Sequence, residues 1–285
     1  MATTTPLRYP GGKSKTYEFV RELINVNRLT SYSEVFAGGG GVAISLLLND
    51  EVDKILLNDY DYAIYSFWNA VINQTDELIK KIQETDITME QWYLQKNIYD
   101  TQQEEASTLD IAFATLFLNR TNRSGIIKAG VIGGKNQNGL YKLDCRFNKD
   151  DICKRIERIG TCRNRIKLSN KDAEQYIKQN LTKTKDTLIF LDPPYYKKGP
   201  ALYTNFYNHD NHVSLAKTIN KHLSNKSWIL TYDKCDEINN LYAEYTKHEY
   251  SLNYSISKPS KGIEFLFNSD SIQFGRSLDY LNLLN

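Results

Sequence analysis

Little in this sequence points to a secreted, membrane-spanning or metal-binding protein. It has only four cysteines, Cys145, Cys153, Cys162 and Cys235, and no two share the C-x-x-C spacing of a metal or redox site. Reduced thiols in a cytoplasmic protein are the expectation. His209 and His212 sit three apart in a polar stretch that offers no clear further ligands, so no metal is expected. No apolar run approaches the ~20 residues of a membrane span, and Met1-Ala2-Thr3-Thr4-Thr5-Pro6 lacks a signal-peptide core. An excess of either charge is missing too, since the formal net charge is +2, and composition alone favours no class of partner. What remains is a composition of 41% hydrophobic and 25% charged residues over 285 positions, enough for one large domain or one carrying an insert.

The sharpest local feature is Leu188-Ile189-Phe190-Leu191-Asp192-Pro193-Pro194-Tyr195. Four apolar residues in a row suit a buried strand of a parallel sheet. Pro193 and Pro194 supply no N–H and hold φ near −65°, so pairing must stop there. Rigidly aimed carbonyls are left beside a carboxylate, Asp192, and an aromatic ring, Tyr195. Open α/β sheets bind ligands just past the carboxyl ends of such strands. An ordinary turn would read the same way, so the companions of this stretch decide.

Earlier in the chain, Arg8-Tyr9-Pro10-Gly11-Gly12-Lys13-Ser14-Lys15 precedes Phe19, Val20, Leu23 and Ile24, which share the spacing of an amphipathic helix. A phosphate-binding loop is excluded, because Leu7 stands where its first glycine would fall. Glu34-Val35-Phe36-Ala37 then reads as a short strand entering four glycines, Gly38 to Gly41, and an apolar helix from Val42. Lys54 to Asn58 reads as a second strand that closes on Asp59. An acid at this offset can accept hydrogen bonds from ribose hydroxyls; capping of the helix from Tyr62 is the other reading. Strand, glycine loop, helix, strand and acid together predict a nucleoside-binding half-fold.

Charge is concentrated where composition hides it. Between Phe117 and Lys167 stand thirteen basic and four acidic residues, a net +9 that leaves −7 for the rest. An apolar helical segment from Leu109 to Phe117 leads into Asn119-Arg120-Thr121-Asn122-Arg123-Ser124-Gly125 and a long Gly/Asn-rich span. A long loop of this charge suits phosphate-backbone contact, although a solvated basic face has the same composition. After it, Ile166–Leu168 and Ser227–Asp233 read as strands. Helical spacing resumes at Val213, Leu215, Ile219 and Leu223, and about 250–256 and 262–267 read as a C-terminal β-hairpin.

In order, Tyr9-Pro10-Gly11-Gly12-Lys13, Phe36-Ala37-Gly38-Gly39-Gly40, Asp59 and Asp192-Pro193-Pro194-Tyr195 resemble the motifs of the Dam-like (D12 class, alpha group) DNA adenine N6-methyltransferases. The likeness continues faintly as Asn119-Arg120, Gly125 and Arg146-Phe147-Asn148. It implies an α/β, Rossmann-like methyltransferase sheet over residues 1–65 and 166–285, with a C-terminal hairpin. An inserted, mainly helical and loop-rich target-recognition domain would occupy 66–165. It implies S-adenosylmethionine (SAM) as methyl donor and no metal. Tyr9 and Lys13 would lie near the methionine end, Phe36, Gly38 and Gly40 along the cofactor, Asp59 at the ribose and Asp172 near the adenine. At Asp172 the pattern departs, since Ala173 stands where the family often has an aromatic residue.

The partner implied is double-stranded DNA, contacted by Asn119, Arg120, Arg123, Ser124, Lys135, Asn136 and Arg146, with Gln137 and Asn138 as further base readers. Because Thr121-Asn122-Arg123-Ser124 departs from the close pattern, no recognition sequence carries over. Catalysis would fall to Asp192, Pro193, Pro194 and Tyr195. The expectation is a site-specific adenine methylase of bacterial or phage origin, a monomer or weak dimer, with or without a cognate restriction endonuclease. Methylation of cytosine N4 or an RNA base, and a non-catalytic DNA-binding relic, are the competing readings.

Overall fold

The first strand, Ser31–Glu34 (β1), runs through the middle of a seven-stranded sheet although none of its residues but Tyr32 is apolar. In the computed structural model, which describes residues 4–8, 16–101, 107–197, 207–254 and 260–284, the other strands are Lys54–Asn58 (β2), Ile166–Ser169 (β3), Thr187–Leu191 (β4), Ser227–Asp233 (β5), Thr246–Tyr254 (β6) and Ser260–Asn268 (β7). Their order is β3-β2-β1-β4-β5-β7-β6. Pairing is parallel from β3 through β5 and antiparallel for β5 with β7 and β7 with β6. The first strand therefore begins and ends earlier than expected. An apolar run was the only cue, and Ser-Tyr-Ser-Glu has none; neighbours on both sides hold it in place instead.

Ten helices are described: Tyr17–Val26 (α1), Gly41–Leu48 (α2), Tyr62–Asn73 (α3), Thr75–Glu84 (α4), Met89–Thr101 (α5), Thr108–Thr121 (α6), Lys149–Gly160 (α7), Ala173–Gln179 (α8), His209–Leu223 (α9) and Asp236–Leu241 (α10). None of the described helices is long and apolar enough to cross a membrane. Alternation along the strands divides the core in two. Leu188 and Phe190 of β4 join the side chains of α1 to α7, whereas Ile189 and Leu191 join those of α8, α9 and α10.

The stretch 66–165, expected as an insert, shares its core with the flanking parts of the chain. Phe67, Trp68 and Val71 of α3, Phe113 and Phe117 of α6, and Ile152 and Ile156 of α7 share one cluster with Leu23, Ile44 and Leu57. From Ile111 to Thr121, α6 is buried on all sides, as a central helix must be. Among the described residues of this stretch, the longest loop-like part lies between Asn122 and Asn148 and carries short 3₁₀ turns. Tyr9 and Lys13 lie outside the described residues, as do Tyr203-Thr204-Asn205-Phe206 and the turn between β6 and β7.

A shared core predicts shared cooperativity. Phe117 is fully buried and meets Phe113 and Phe147 with ring centroids 5.8 and 5.5 Å apart. Phe117→Ala should cost about 3–5 kcal/mol and lower a single calorimetric transition as a whole. An early melting step confined to part of the chain would instead indicate an independent insert.

Candidate active site

Chain connections diverge between β1 and β4, and the loops that leave their carboxyl ends face each other across the resulting crevice. The loop after β1 is held from several sides. Ala37 N–H donates to Asn58 O at 2.9 Å, and Gly40 N–H to Ala37 O at 2.7 Å. Trp68 Nε1–H reaches Gly38 O at 2.9 Å, and the Thr5 hydroxyl reaches Gly39 O at 2.5 Å. Gly38 and Gly40 have φ of 46° and 57°, a region disfavoured for residues with a Cβ. A Cβ on Gly40 would also come within 2.8 Å of the Trp68 ring. The glycines thus let the loop turn tightly against the Trp68 ring.

Acidic groups line the same crevice. Asp59 accepts from Gly38 N–H at 2.8 Å and Asp61 N–H at 2.9 Å. The cap of α3 is Asp61, whose side chain accepts from Ala63 N–H at 2.9 Å. Burial pushes the Asp59 carboxyl up to about 7, against the opposing pull of the Gly38 amide. Glu34 is 7% exposed, and burial raises it to about 8 although Ala43 N–H and the Tyr32 hydroxyl donate to it at 3.2 and 3.3 Å; the neighbouring charges of Asp192 and Asp59 add to the rise. Phe36 meets Tyr207 edge-on, with ring centroids 6.1 Å apart. Asp172 is exposed and caps α8 through Glu174 and Gln175 N–H.

The loop after β4 is tied down as firmly. Thr231 Oγ1 donates to Asp192 Oδ1 at 2.6 Å, and the Tyr195 hydroxyl donates to Glu264. Tyr196 and Lys197 N–H donate to Asp233 at 2.8 and 3.0 Å. Pro193, Pro194 and Tyr195 are buried, and Asp192 is partly exposed. Thr231, Asp233 and Glu264 belong to none of the sequence motifs. Their signal was there, as polar residues inside otherwise apolar strands.

Two residues expected to face DNA do not. Asn119 is 1% exposed, accepts from Arg8 N–H at 2.8 Å and donates to the carbonyls of Arg8 and Gly125 at 2.7 and 2.8 Å. Arg120 is 8% exposed and donates to Pro6 O; burial lowers it to about 10, with Arg155 and Arg8 adding like-charge repulsion. Both hold residues 4–8 against the glycine loop, because α6 continues to Thr121 and carries them into the core. The basic segment is likewise partly internal: Arg155, Arg158 and Arg165 donate to Thr5, Leu48 and Val52 carbonyls. Arg123, Lys135, Asn136 and Arg146 do stand exposed, and Ser124 is half-buried in the left-handed region at φ 58°. Gln137 organises their loop by donating to Ile132 O and accepting from Leu143 N–H. Beside it Leu140 and Tyr141 are 89% and 63% exposed, an apolar pair that the sequence reading did not single out.

His209 and His212 bond to tyrosine hydroxyls of Tyr196 and Tyr232 at 3.0 and 2.8 Å, and no metal-holding group occurs among the described residues.

A glycine loop and an Asp-Pro-Pro-Tyr loop leave the carboxyl ends of adjacent parallel strands at the point where strand order reverses, the place where open α/β sheets bind their ligands. Residues 9–256 match the D12 class N6 adenine-specific DNA methyltransferase family, and the chain belongs to that family. It is a DNA adenine methyltransferase, and enzymes of this family use SAM as methyl donor. Among solved structures it is similar to a conserved hypothetical protein from Streptococcus pyogenes, with 12% identity over 85% of this chain and 88% of that one and a TM-score of 0.34. No curated protein matches it.

The buried acid gives stability a pH dependence. Glu34 binds its proton more tightly folded than unfolded, so its contribution is greatest below its ordinary value of 4.5 and is lost as pH rises toward about 8. Urea unfolding between those limits should show stability falling, by on the order of a few kcal/mol from this group. Glu34→Gln should flatten the slope.

Proposed function

We propose that the protein transfers the SAM methyl to the N6 amine of an adenine flipped out of duplex DNA at one short sequence. The observation that supports this reading is that Asp192-Pro193-Pro194-Tyr195 and Phe36–Gly40 follow the carboxyl ends of the adjacent parallel strands β4 and β1, with Asp59 bonded to the glycine loop. Gly38 and Gly40 let the backbone approach a nucleoside, Asp59 accepts from its ribose, and Phe36 lies along it. Tyr9 and Lys13 would serve the methionine end. SAM supplies an electrophilic methyl on a sulfonium, and Asp59 and Asp192 are the partly exposed acids beside the two loops.

An exocyclic amine is a poor nucleophile because its lone pair is delocalised into the ring. Asp192 and the Pro193 carbonyl accept its two hydrogens and draw the nitrogen toward tetrahedral geometry. Fixed acceptors thereby stabilise the positive charge that develops on it, and positioning supplies much of the remaining rate. Inside a duplex the amine is out of reach, so the base must leave the stack. Tyr195, its hydroxyl anchored to Glu264, is the aromatic residue beside these acceptors, and stacking of the base on its ring would contribute ~1–3 kcal/mol. Arg123, Lys135, Asn136 and Arg146 contact DNA, and the exposed Leu140-Tyr141 pair lies on the same loop. Phosphate contacts set register, and base-edge contacts set sequence.

Expression in a host lacking adenine methylation should place N6-methyladenine at one short motif in the genome, read by single-molecule sequencing, and Asp192→Ala should abolish it. A folded, SAM-binding protein that leaves the genome unmethylated would overturn the reading, and mass spectrometry of digested nucleosides would expose a cytosine or RNA acceptor. Arg123→Ala and Lys135→Ala should each weaken DNA binding and reduce the slope of log K against log salt by about 1 if they touch phosphates.

A further inference from the structure

Strand β5 reads Ser227-Trp228-Ile229-Leu230-Thr231-Tyr232-Asp233, and its alternate residues divide between the two faces of the sheet. Trp228, Leu230 and Tyr232 enter the cluster formed with α8 and α9, and Ile229 enters the opposite one. Thr231 and Asp233 therefore share the Ile229 face, where they are 3% and 4% exposed. Polar side chains buried this deeply need hydrogen-bond partners. Both find them in the loop after β4.

The Thr231 hydroxyl meets Asp192 at 2.6 Å, and the two oxygens of Asp233 take the N–H groups of Tyr196 and Lys197. Glu264 stands opposite Asp233 in the antiparallel register of β5 and β7, and it accepts the hydroxyls of Tyr195 and Tyr250. Every non-proline residue from Asp192 to Lys197 is thus tied to one of three side chains on two adjacent strands. The two prolines between them are rigid by their own chemistry. Acids directly opposite one another in a sheet are ordinarily unfavourable. Here that cost is accepted where it fixes a loop, which is the usual sign of a supported functional geometry.

A carboxylate turns about two side-chain torsions, and methyl transfer requires its lone pairs to meet an amine hydrogen along one direction. A short, charge-assisted hydrogen bond from a β-branched side chain removes that freedom. We infer that Thr231, backed by Asp233 and Glu264, is a positioning residue for methyl transfer, orienting Asp192 toward the adenine amine without touching the substrate. The inference rests on the assignment of Asp192 as acceptor of that amine.

The test compares Thr231→Val, which keeps the shape and removes the hydroxyl, with Thr231→Ser, which keeps the hydroxyl, and with Asp192→Asn. Single-turnover methylation is measured with SAM and duplex DNA carrying the site that the wild-type enzyme methylates. Thr231→Val should slow the step roughly 10- to 100-fold and leave the Kd values for SAM and DNA within about twofold of wild type. The acid limb of its rate–pH profile should move to higher pH, because ionised Asp192 has lost a donor. Thr231→Ser should recover the rate to within about threefold.

A Thr231→Val enzyme at the wild-type rate, or a Thr231→Ser enzyme as slow as Thr231→Val, overturns the inference. If Asp192→Asn is inactive while Thr231→Val is fast, positioning alone fails; if Asp192→Asn is fully active, the assignment of Asp192 fails first. Should Thr231→Val not fold by thermal melting, Glu264→Gln replaces it. Slowed turnover with SAM binding retained is then expected, and an unchanged rate overturns the inference.

Discussion

Between β1 and β4 the chain turns opposite ways, and helices cannot cover the crevice that this leaves at the ends of the two strands. That constraint organises the molecule. It places two loops face to face, and each must be rigid without the repeating hydrogen bonds of a helix or strand. The glycine loop is fixed by Asp59, Trp68 and Thr5, which arrive from three different parts of the chain. The Asp-Pro-Pro-Tyr loop is fixed by Thr231, Asp233 and Glu264 from the strands beside it. In both, backbone groups that could not pair in the sheet are satisfied by buried side chains.

Such a crevice gathers acids, and burying them has an energetic cost. Glu34 and Asp59 are both shifted upward by desolvation, while helix-start and loop amides oppose the shift. Acids buried in this way cost stability as pH rises, where an apolar crevice would not. Stability and function meet in the same side chains.

A second connection runs from the crevice to the basic loop. Residues 4–8 lie between the glycine loop, reached through Thr5, and α6, reached through Asn119 and Arg120. A Cβ on Gly125 would fall 2.3 Å from the Arg8 carbonyl, so the start of the basic loop closes directly onto this segment. Asn and Arg in a basic stretch look like nucleic-acid contacts on paper. Here the helix carrying them continues one turn further than its apolar run, and they become internal ties.

Local chemistry alone made several features legible. Leu188 to Leu191 had to be a buried strand, Pro193-Pro194 had to end it, and Gly38 and Gly40 marked a turn that a Cβ would obstruct. These features depend on a few consecutive residues, and their order along the chain carried the family resemblance. Tertiary structure decided the rest. Ser31–Glu34 is a strand because β2 and β4 flank it, residues 66–165 share a core because α3, α6 and α7 pack on the sheet's helices, and Asn119 and Arg120 face inward because of where α6 ends. Thr231 meets Asp192 only because β5 lies beside β4. Motifs are read from neighbours in sequence, whereas burial and partnership are set by neighbours in space, as between Arg8 and Asn119, 111 positions apart, or Thr5 and Arg155, 150 apart.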